Sequence, residues 1–169
     1  HTCPWAVERI LCPGSRWGKT TVAAVKLGHD ALYQTRLPKW TLLKDHYVAI
    51  NLSLTIDMAR LAWIRLYNYA MSSKLFKRFI IEDESKRYPF PLLTIGAGRR
   101  GSENFWRSEV WARSSAKDAH YLLSQDFDVV NWDEAAREPR GLRILDDILR
   151  MRMVDREGRL DMTSTGDGK

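Results

Sequence analysis

Cysteine is scarce in this sequence, and long apolar runs are missing. Two cysteines, Cys3 and Cys12, are too few for a disulfide framework or a metal-ligand set, so we expect a reducing compartment. No stretch approaches the roughly 18 consecutive apolar residues of a membrane-spanning helix. The first residues, His1 to Trp5, lack the basic start and apolar core of a secretion signal. We therefore expect neither a disulfide-stabilised secreted domain nor a membrane protein.

Acidic residues are the minority among the charged ones. The chain has 27 basic and 21 acidic residues, a net charge of +6 and a pI near 9.5. This balance suits a polyanionic partner, although a basic surface that is only solvated explains it as well. The length of 169 residues favours one domain with a sizeable buried core.

Segments with the periodicity of strands and helices alternate along the chain. The run from Val7 to Cys12 predicts a first strand, a helix is expected from about Gly18 to Tyr33, and Tyr47 to Ile50 predicts a second strand. Ser53 or Thr55 is the candidate N-cap of the clearest helix. Apolar residues at helical spacing mark that helix: Ile56, Ala59, Trp63, Leu66 and Ala70.

The second half of the chain continues this alternation after a charged stretch, 72 to 91, that predicts a surface excursion. The further predicted strands are Leu92 to Ile95, Glu109 to Arg113, Phe127 to Trp132 and Asp161 to Thr165. The further predicted helices are a short one near Ala116 to Leu123 and one marked by Leu142, Leu145, Ile148 and Leu149. Together these elements predict an α/β fold with a mostly parallel sheet of about five or more strands.

A phosphate-binding loop is indicated between the first strand and the first helix. The segment reads Pro13-Gly14-Ser15-Arg16-Trp17-Gly18-Lys19-Thr20, where the usual pattern is Gly, four residues, then Gly-Lys-Ser/Thr. Pro13 occupies the first glycine position, and an ordinary turn is the alternative reading. Backbone N–H groups in such a loop face a phosphate at a helix N-terminus, where the helix dipole favours anions. We expect Gly14 to Thr20 to bind a nucleotide, with Lys19 on its β- and γ-phosphates and Thr20 on Mg²⁺.

Two adjacent carboxylates, Asp133 and Glu134, follow an apolar strand. Ligands of open α/β sheets bind at the carboxyl ends of strands, so we expect Asp133 near Lys19, on the strand next to that of the loop. Asp133 is the candidate Mg²⁺ residue, through water or in the second shell. Glu134, which strand alternation directs to the other face, is the candidate for polarising the attacking water. Acids at a helix start explain an isolated pair as well, and only the register with the loop favours catalysis.

A third group, Thr163-Ser164-Thr165, lies at the end of the last predicted strand. Hydroxyls at this position are expected to hydrogen-bond Glu134 or to sense the γ-phosphate. A turn or N-cap cluster is an equal alternative, because serine and threonine are common at such ends.

In this order, the three groups resemble the ATPase domain of terminase large subunits, the motors that pump double-stranded DNA into viral capsids. The similar segments are Gly14 to Thr20, Ser108 to Ser114 followed by Phe127-Asp128 and Asp133 to Ala136, and Gly158 to Thr165. Ser15 departs from the pattern, since many members carry another arginine there. The resemblance implies a three-layer P-loop NTPase fold of the additional-strand, conserved-glutamate type. The resemblance spans roughly Arg9 to Gly168, and we expect residues 1–169 to form one ATPase domain that is incomplete at both ends and lacks a nuclease domain.

The resemblance also implies cofactors, partners and roles. ATP and Mg²⁺ are the expected cofactors; double-stranded DNA, a homo-oligomeric ring on a portal and the small terminase subunit are the expected partners, with no membrane. The setting is the host cytoplasm during virion assembly. Glu134 and Arg16 are the expected catalytic residues, and Thr163 to Thr165 are expected to couple hydrolysis to movement. Arg99, Arg100 and Arg137 are candidates for contacting DNA or a neighbour's site.

Two other functions remain open. A superfamily-2 helicase shares the sheet, the Asp-Glu pair and a Ser/Thr coupling motif, but Asp133-Glu134-Ala135-Ala136 lacks the fourth residue of the helicase signature. The other alternative is a nucleotide-dependent DNA-binding or assembly module that does not turn over.

Overall fold

The chain forms one mixed sheet with helices on both faces, as seen in a computed structural model. The structure describes residues 7–11, 17–33, 46–98, 102, 105–154 and 156–165. The strands are β1 (Val7–Leu11), β2 (Tyr47–Ser53), β3 (Leu92–Ala97), β4 (Trp106–Ser114), β5 (Val129–Asp133) and β6 (Arg159–Thr163). The α-helices are α1 (Lys19–Tyr33), α2 (Ile56–Ser72), α3 (Lys74–Lys77), α4 (Gly141–Ile144) and α5 (Arg150–Val154).

Six strands make up the sheet, in the order β1-β6-β5-β2-β4-β3. Every neighbouring pair is parallel except β3 and β4, which form an antiparallel hairpin. The predicted mostly parallel α/β fold is therefore confirmed. The expectation that β5 is the direct neighbour of β1 is wrong, because β6 lies between them and pairs with both.

One face of the sheet is covered by α1 and α2. Helix α2 begins at Thr55, whose Oγ1 accepts a hydrogen bond from the Met58 N–H at 3.3 Å, so Thr55 rather than Ser53 is the N-cap. Its predicted apolar stripe faces the sheet and α1. At Gly28 of α1 an added Cβ atom would lie 2.6 Å from Leu66 Cδ1. Glycine therefore permits the close approach of the two helices.

The opposite face is covered by the helical segment 141–154 and by the 3₁₀ helix Lys117–Ser124. Within this segment α4 and α5 flank a π-helical stretch, Leu145–Leu149. Leu142 was predicted on the buried side but is 79% exposed, whereas Leu145, Ile148 and Leu149 are buried. The buried stripe of this helix therefore begins at Ile144 rather than at Leu142.

The charged stretch from 72 to 91 lies along the outer side of β3. Ile80 and Lys86 form isolated bridges with Ile95 and Leu92, and Phe76 is buried against the core. Most of the remaining side chains are exposed, as predicted. None of the described helices is long and apolar enough to cross a membrane.

Candidate active site

The carboxyl ends of β5 and β6 meet the N-terminus of α1. Gly18 precedes α1 with φ of +91°, a conformation that glycine adopts without steric cost. Its carbonyl accepts hydrogen bonds from the N–H groups of Thr21 at 2.9 Å and Val22 at 3.1 Å, which close the first turn. Lys19 is consequently the first residue of the helix, as the loop pattern predicts.

Lys19 forms an ion pair with Glu134, with 2.6 Å between Nζ and Oε1. Each side chain is only 12% exposed. The two residues are 115 positions apart in sequence, so this contact depends on the assembled sheet. The structure thus brings together the candidate phosphate-binding lysine and the candidate catalytic carboxylate.

Glu134 adopts a left-handed backbone conformation, with φ of +56° and ψ of +38°. A residue with a side chain is uncommon there and is held by its surroundings at a cost of about 1 to 3 kcal/mol. In a continued strand Glu134 would point away from α1, because side chains alternate between faces. The expectation that Glu134 lies on the other face is therefore wrong, since this turn brings its carboxylate back to Lys19.

The same carboxylate contacts the group that follows β6. Its Oε2 accepts hydrogen bonds from the Thr165 N–H at 3.3 Å, from Thr165 Oγ1 at 3.0 Å and from Ser164 Oγ at 3.4 Å. Arg137 Nε lies 3.4 Å from this oxygen, and Arg137 also donates to Thr165 Oγ1 at 3.4 Å. The predicted contact between this hydroxyl group and Glu134 is present, and Glu134 is held by cations and hydroxyls together.

These neighbours decide the charge of Glu134. Partial burial raises the pKa of its carboxyl, but the hydrogen bonds from Lys19 and Thr165 outweigh burial and bring that pKa below the ordinary value. The carboxylate is therefore ionised at neutral pH, as a group that accepts a proton from water must be. In this arrangement its acceptor oxygens are occupied by Lys19 and Thr165.

Asp133 is the last residue of β5, and its Oδ1 accepts a hydrogen bond from Thr163 Oγ1 at 2.9 Å. Its backbone carbonyl accepts a longer bond from Ser53 Oγ, at 3.3 Å. Thr20 follows Lys19 in the first turn of α1, which supplies a hydroxyl at the same end of the sheet. One carboxylate and one hydroxyl fit Mg²⁺, which keeps several waters and takes few protein ligands. The described residues contain no cluster of three or more histidine, cysteine, aspartate or glutamate side chains that could hold a metal alone.

Several predicted site residues lie outside the described residues, namely Pro13, Gly14, Ser15, Arg16, Arg99 and Arg100. Trp17 is described and is 61% exposed beside the start of α1. The strands that flank Arg99 and Arg100 end at Ala97 and begin at Trp106, at the amino-terminal end of the parallel strands. That end is opposite to the one that carries Asp133 and Glu134.

Sequence reasoning missed three polar contacts near the site. Asn131 of β5 donates to Asn51 Oδ1 of β2 at 2.5 Å, and Asn51 Nδ2 donates to the Ala59 carbonyl of α2 at 2.6 Å. Asparagine within an apolar strand is a signal that was available. Arg65 of α2 donates to Thr21 Oγ1 in the first turn of α1. Only the packing of the two helices reveals that contact.

Comparisons with solved structures identify this fold. The large-terminase ATPase domain of Thermus phage P74-26, in an arginine-to-alanine mutant form, matches with a TM-score of 0.65 at 18% identity; the unmutated domain matches at 0.63 and 18%. The large terminase of bacteriophage HK97 matches with a TM-score of 0.63 at 14% identity. The fold is that of a phage large-terminase ATPase domain.

The terminase match covers almost all of this chain but only part of the matched proteins. It includes 94% of this chain and 58% of each P74-26 chain, and 96% of this chain and 30% of the HK97 terminase. No protein-family model and no curated protein sequence matches the chain. At these identities the terminase comparison shows the fold, and the site has to be argued from its own residues.

Proposed function

We propose that this chain hydrolyses ATP to power the translocation of double-stranded DNA into a viral procapsid. The observation that carries this proposal is the 2.6 Å contact between Lys19 and Glu134 at one end of the sheet. Thr165, which contacts Glu134, and Asp133, which contacts Thr163, lie at the same end. A phosphate-binding cation, a metal-binding carboxylate and a base within one cleft are the parts that ATP hydrolysis needs.

Each residue has a separate part in the proposed reaction. Lys19 binds the β- and γ-phosphates, while Asp133 and Thr20 hold Mg²⁺, which would neutralise charge that develops on the phosphates. Glu134 accepts a proton from water as the water oxygen attacks the γ-phosphorus. The bond from that phosphorus to the bridging oxygen breaks, and ADP and phosphate are the products.

Binding of the nucleotide has to rearrange the contacts of Glu134. Lys19 cannot serve the γ-phosphate fully while its Nζ remains 2.6 Å from Glu134. Transfer of Lys19 to the phosphate frees Oε1 for the attacking water, and Thr165 and Arg137 remain to position Oε2. Arg137 contacts the glutamate of its own chain, so we assign it a local role rather than a role in a neighbour's site. Arg16 remains the candidate for stabilising charge in the transition state.

We propose that ATP hydrolysis is coupled to movement through Thr163, the last residue of β6, and the two residues that follow it. Thr163 contacts the metal-binding Asp133, whereas Ser164 and Thr165 contact the base Glu134. Three consecutive residues therefore contact both acids, and a change at the γ-phosphate alters the positions of all three. The net charge of +6 supports DNA as the partner. The ring on a portal, the small terminase subunit and the host cytoplasm complete the proposal by analogy with terminases.

Steady-state ATP hydrolysis with Mg²⁺ tests the proposal most directly. We expect Lys19→Ala to lower the hydrolysis rate at least about 100-fold, because a charge that contacts the transferring phosphate is lost. Lys77→Ala, which removes an exposed lysine of α3, is the matched control and should retain activity. Hydrolysis at the wild-type rate in Lys19→Ala would mean that the loop is structural. Strand separation without packaging would favour the helicase alternative, and nucleotide binding without turnover would favour the assembly module.

A further inference from the structure

Five consecutive exposed residues, 86 to 90, cross the edge of the sheet next to β3. Two large rings project from this segment, since Tyr88 is 77% exposed and Phe90 is 61% exposed. Single exposed aromatic residues are normal, but two of them beside lysine and arginine are typical of binding surfaces. Pro91, which follows, is buried and accepts a hydrogen bond from Ala112 N–H at 3.1 Å, so β4 anchors the segment.

Two arginines lie against rings of this region. The Arg87 guanidinium stands 4.4 Å from the centre of the Tyr67 ring and donates to the Tyr67 hydroxyl at 2.7 Å. The Arg60 guanidinium lies 5.6 Å from the centre of the Tyr88 ring and donates to the Pro89 carbonyl at 3.3 Å. Each arginine therefore links the two elements: Arg60 of α2 contacts the exposed segment, and Arg87 of the exposed segment contacts α2.

A third arginine extends this arrangement onto the sheet. Arg113 of β4 lies 5.5 Å from the centre of the Phe90 ring and donates to the Pro91 carbonyl at 3.2 Å. The three stacked pairs form a continuous surface, which we call the arginine–aromatic ridge: Arg60, Tyr67, Arg87, Tyr88, Phe90 and Arg113. A guanidinium that stacks on a ring keeps donors at its edge and loses less side-chain entropy when it binds an anion.

The charge of the ridge is positive. Its three arginines and the adjoining Lys86 give four cations. Of the acids that the structure describes in this region, Asp57 lies 3.5 Å from Arg60, and Glu82 and Asp83 lie in the 3₁₀ helix that precedes Lys86. Glu84 is another acid of this region. Its backbone carbonyl accepts a hydrogen bond from Thr94 of β3, and its carboxylate forms an ion pair with Arg107 at 2.8 Å. The ridge therefore carries a local excess of positive charge next to exposed rings, which fits a partner with closely spaced phosphates.

The ridge lies at the same end of the sheet as the candidate active site. Arg113 immediately precedes the last residue of β4, and Arg60 lies in the second turn of α2. The hydrogen bonds from Asn131 to Asn51 and from Asn51 to the Ala59 carbonyl connect β5 to α2 next to Arg60. A short physical connection therefore joins the strand of Asp133 to the helix that carries part of the ridge.

We propose that the arginine–aromatic ridge contacts the phosphate backbone of duplex DNA without reading its sequence. The choice of DNA rests on the proposed function, whereas the stacked guanidinium groups require only a polyanion. Contacts of this kind release counterions, so each one adds about 0.9 to the slope of log affinity against log salt. They weaken at higher salt, as a surface that repeatedly grips and releases DNA requires.

Fluorescence anisotropy with a short labelled duplex, titrated across salt concentrations, tests the ridge. We expect the double variant Lys86→Gln/Arg87→Gln to bind more weakly and to lose about 2 from the salt slope. The control Arg9→Gln/Arg143→Gln removes the same charge from exposed arginines near the β1 edge and should keep the wild-type slope. A second variant, Tyr88→Ala, removes the ring under Arg60 and should weaken binding without a change of net charge. Thermal unfolding of each variant checks that it is folded.

The outcomes separate this proposal from the proposed function. ATP hydrolysis without DNA tests the active site, and it should be unchanged in both ridge variants. Equal salt slopes in the ridge and control variants would overturn the ridge, while leaving hydrolysis standing. Wild-type protein that binds no duplex at low salt would overturn the ridge and the DNA-translocating part of the function. Unchanged DNA binding with lost binding to phosphatidylserine vesicles would reassign the ridge to a membrane surface.

Discussion

Glu134 is held by Lys19 at one carboxylate oxygen and by Thr165 at the other. The Asp-Glu pair after an apolar strand predicted carboxylates at the end of the sheet where Lys19 lies, and the structure places both there. The direction of Glu134 was not predictable, because alternation applies only while the strand continues. A left-handed turn at Glu134 reverses its direction. Nothing in the local sequence marks that turn, since glutamate has no preference for positive φ.

Asp133 and Glu134 should fail in different ways when each is replaced by its amide. Glu134→Gln keeps the size and the hydrogen bonds to Thr165 but removes the basic oxygen. We expect hydrolysis to fall by roughly 100-fold or more while ATP still binds. Asp133→Asn should weaken Mg²⁺-dependent binding as well as turnover, because the charge at the metal is lost.

Titrations with a fluorescent ATP analogue, with and without Mg²⁺, measure binding separately from turnover. Equal loss of binding in both variants would show that the two roles are shared. An active Glu134→Gln would place the base elsewhere.

At the scale of elements, local patterns predicted where strands and helices occur better than how they associate. The helical stripe of α2 and the short apolar runs of β2 and β5 are clear in the sequence, because α2 buries one face and these central strands are buried along almost their whole length. The order of strands is non-local, so the chain pattern could not show that β6 separates β5 from β1. Leu142 is exposed because it lies in the first turn of α4, where Ile144 is the residue that packs against the sheet.

The start of β5 depends on a buried carboxylate that pattern reasoning did not assign. Asp128 Oδ2 accepts from the Val48 N–H at 2.6 Å and from Arg156 Nη1 at 2.9 Å, and its side chain is fully buried. Asp128→Ala leaves Arg156 without this partner, so we expect a loss of about 3 to 5 kcal/mol in the free energy of unfolding. Asp128→Asn keeps an acceptor oxygen and should lose less.

Chemical denaturation measures this effect, with Asp126→Ala as the control. Asp126 pairs with Arg152 at 3.6 Å on the surface, where such a pair contributes only about 0 to 1 kcal/mol. Similar losses for Asp126→Ala and Asp128→Ala would mean that the Asp128 pair does not stabilise the junction of β2, β5 and β6.

At the scale of the whole molecule, the candidate active site and the proposed DNA-contacting surface lie at one end of the sheet. The candidate active site and the arginine–aromatic ridge both lie at the carboxyl ends of parallel strands, joined through β5, β2 and α2. The hairpin strands that flank Arg99 and Arg100 point to the other end. The basic composition predicts a polyanionic partner, and Arg99 and Arg100 remain candidates that lie outside the described residues, whereas the stacked arginines were not singled out from the sequence. Stacking on rings from distant segments is visible only after folding.

Nucleotide binding should stabilise the whole domain, because α1, β5 and β6 all contribute residues to the candidate site. A Mg²⁺-bound, non-hydrolysable ATP analogue at about 100 times its Kd adds about 2.7 kcal/mol, which for a domain of this size raises Tm by about 5 to 10 °C. Glu134→Gln should keep this shift, since its role is in turnover, whereas Lys19→Ala should lose most of it. Thermal unfolding with the analogue, and with Mg²⁺ alone as the control, measures the difference. A shift that survives in Lys19→Ala would place the nucleotide away from the N-terminus of α1, and the cleft described here would then need another ligand.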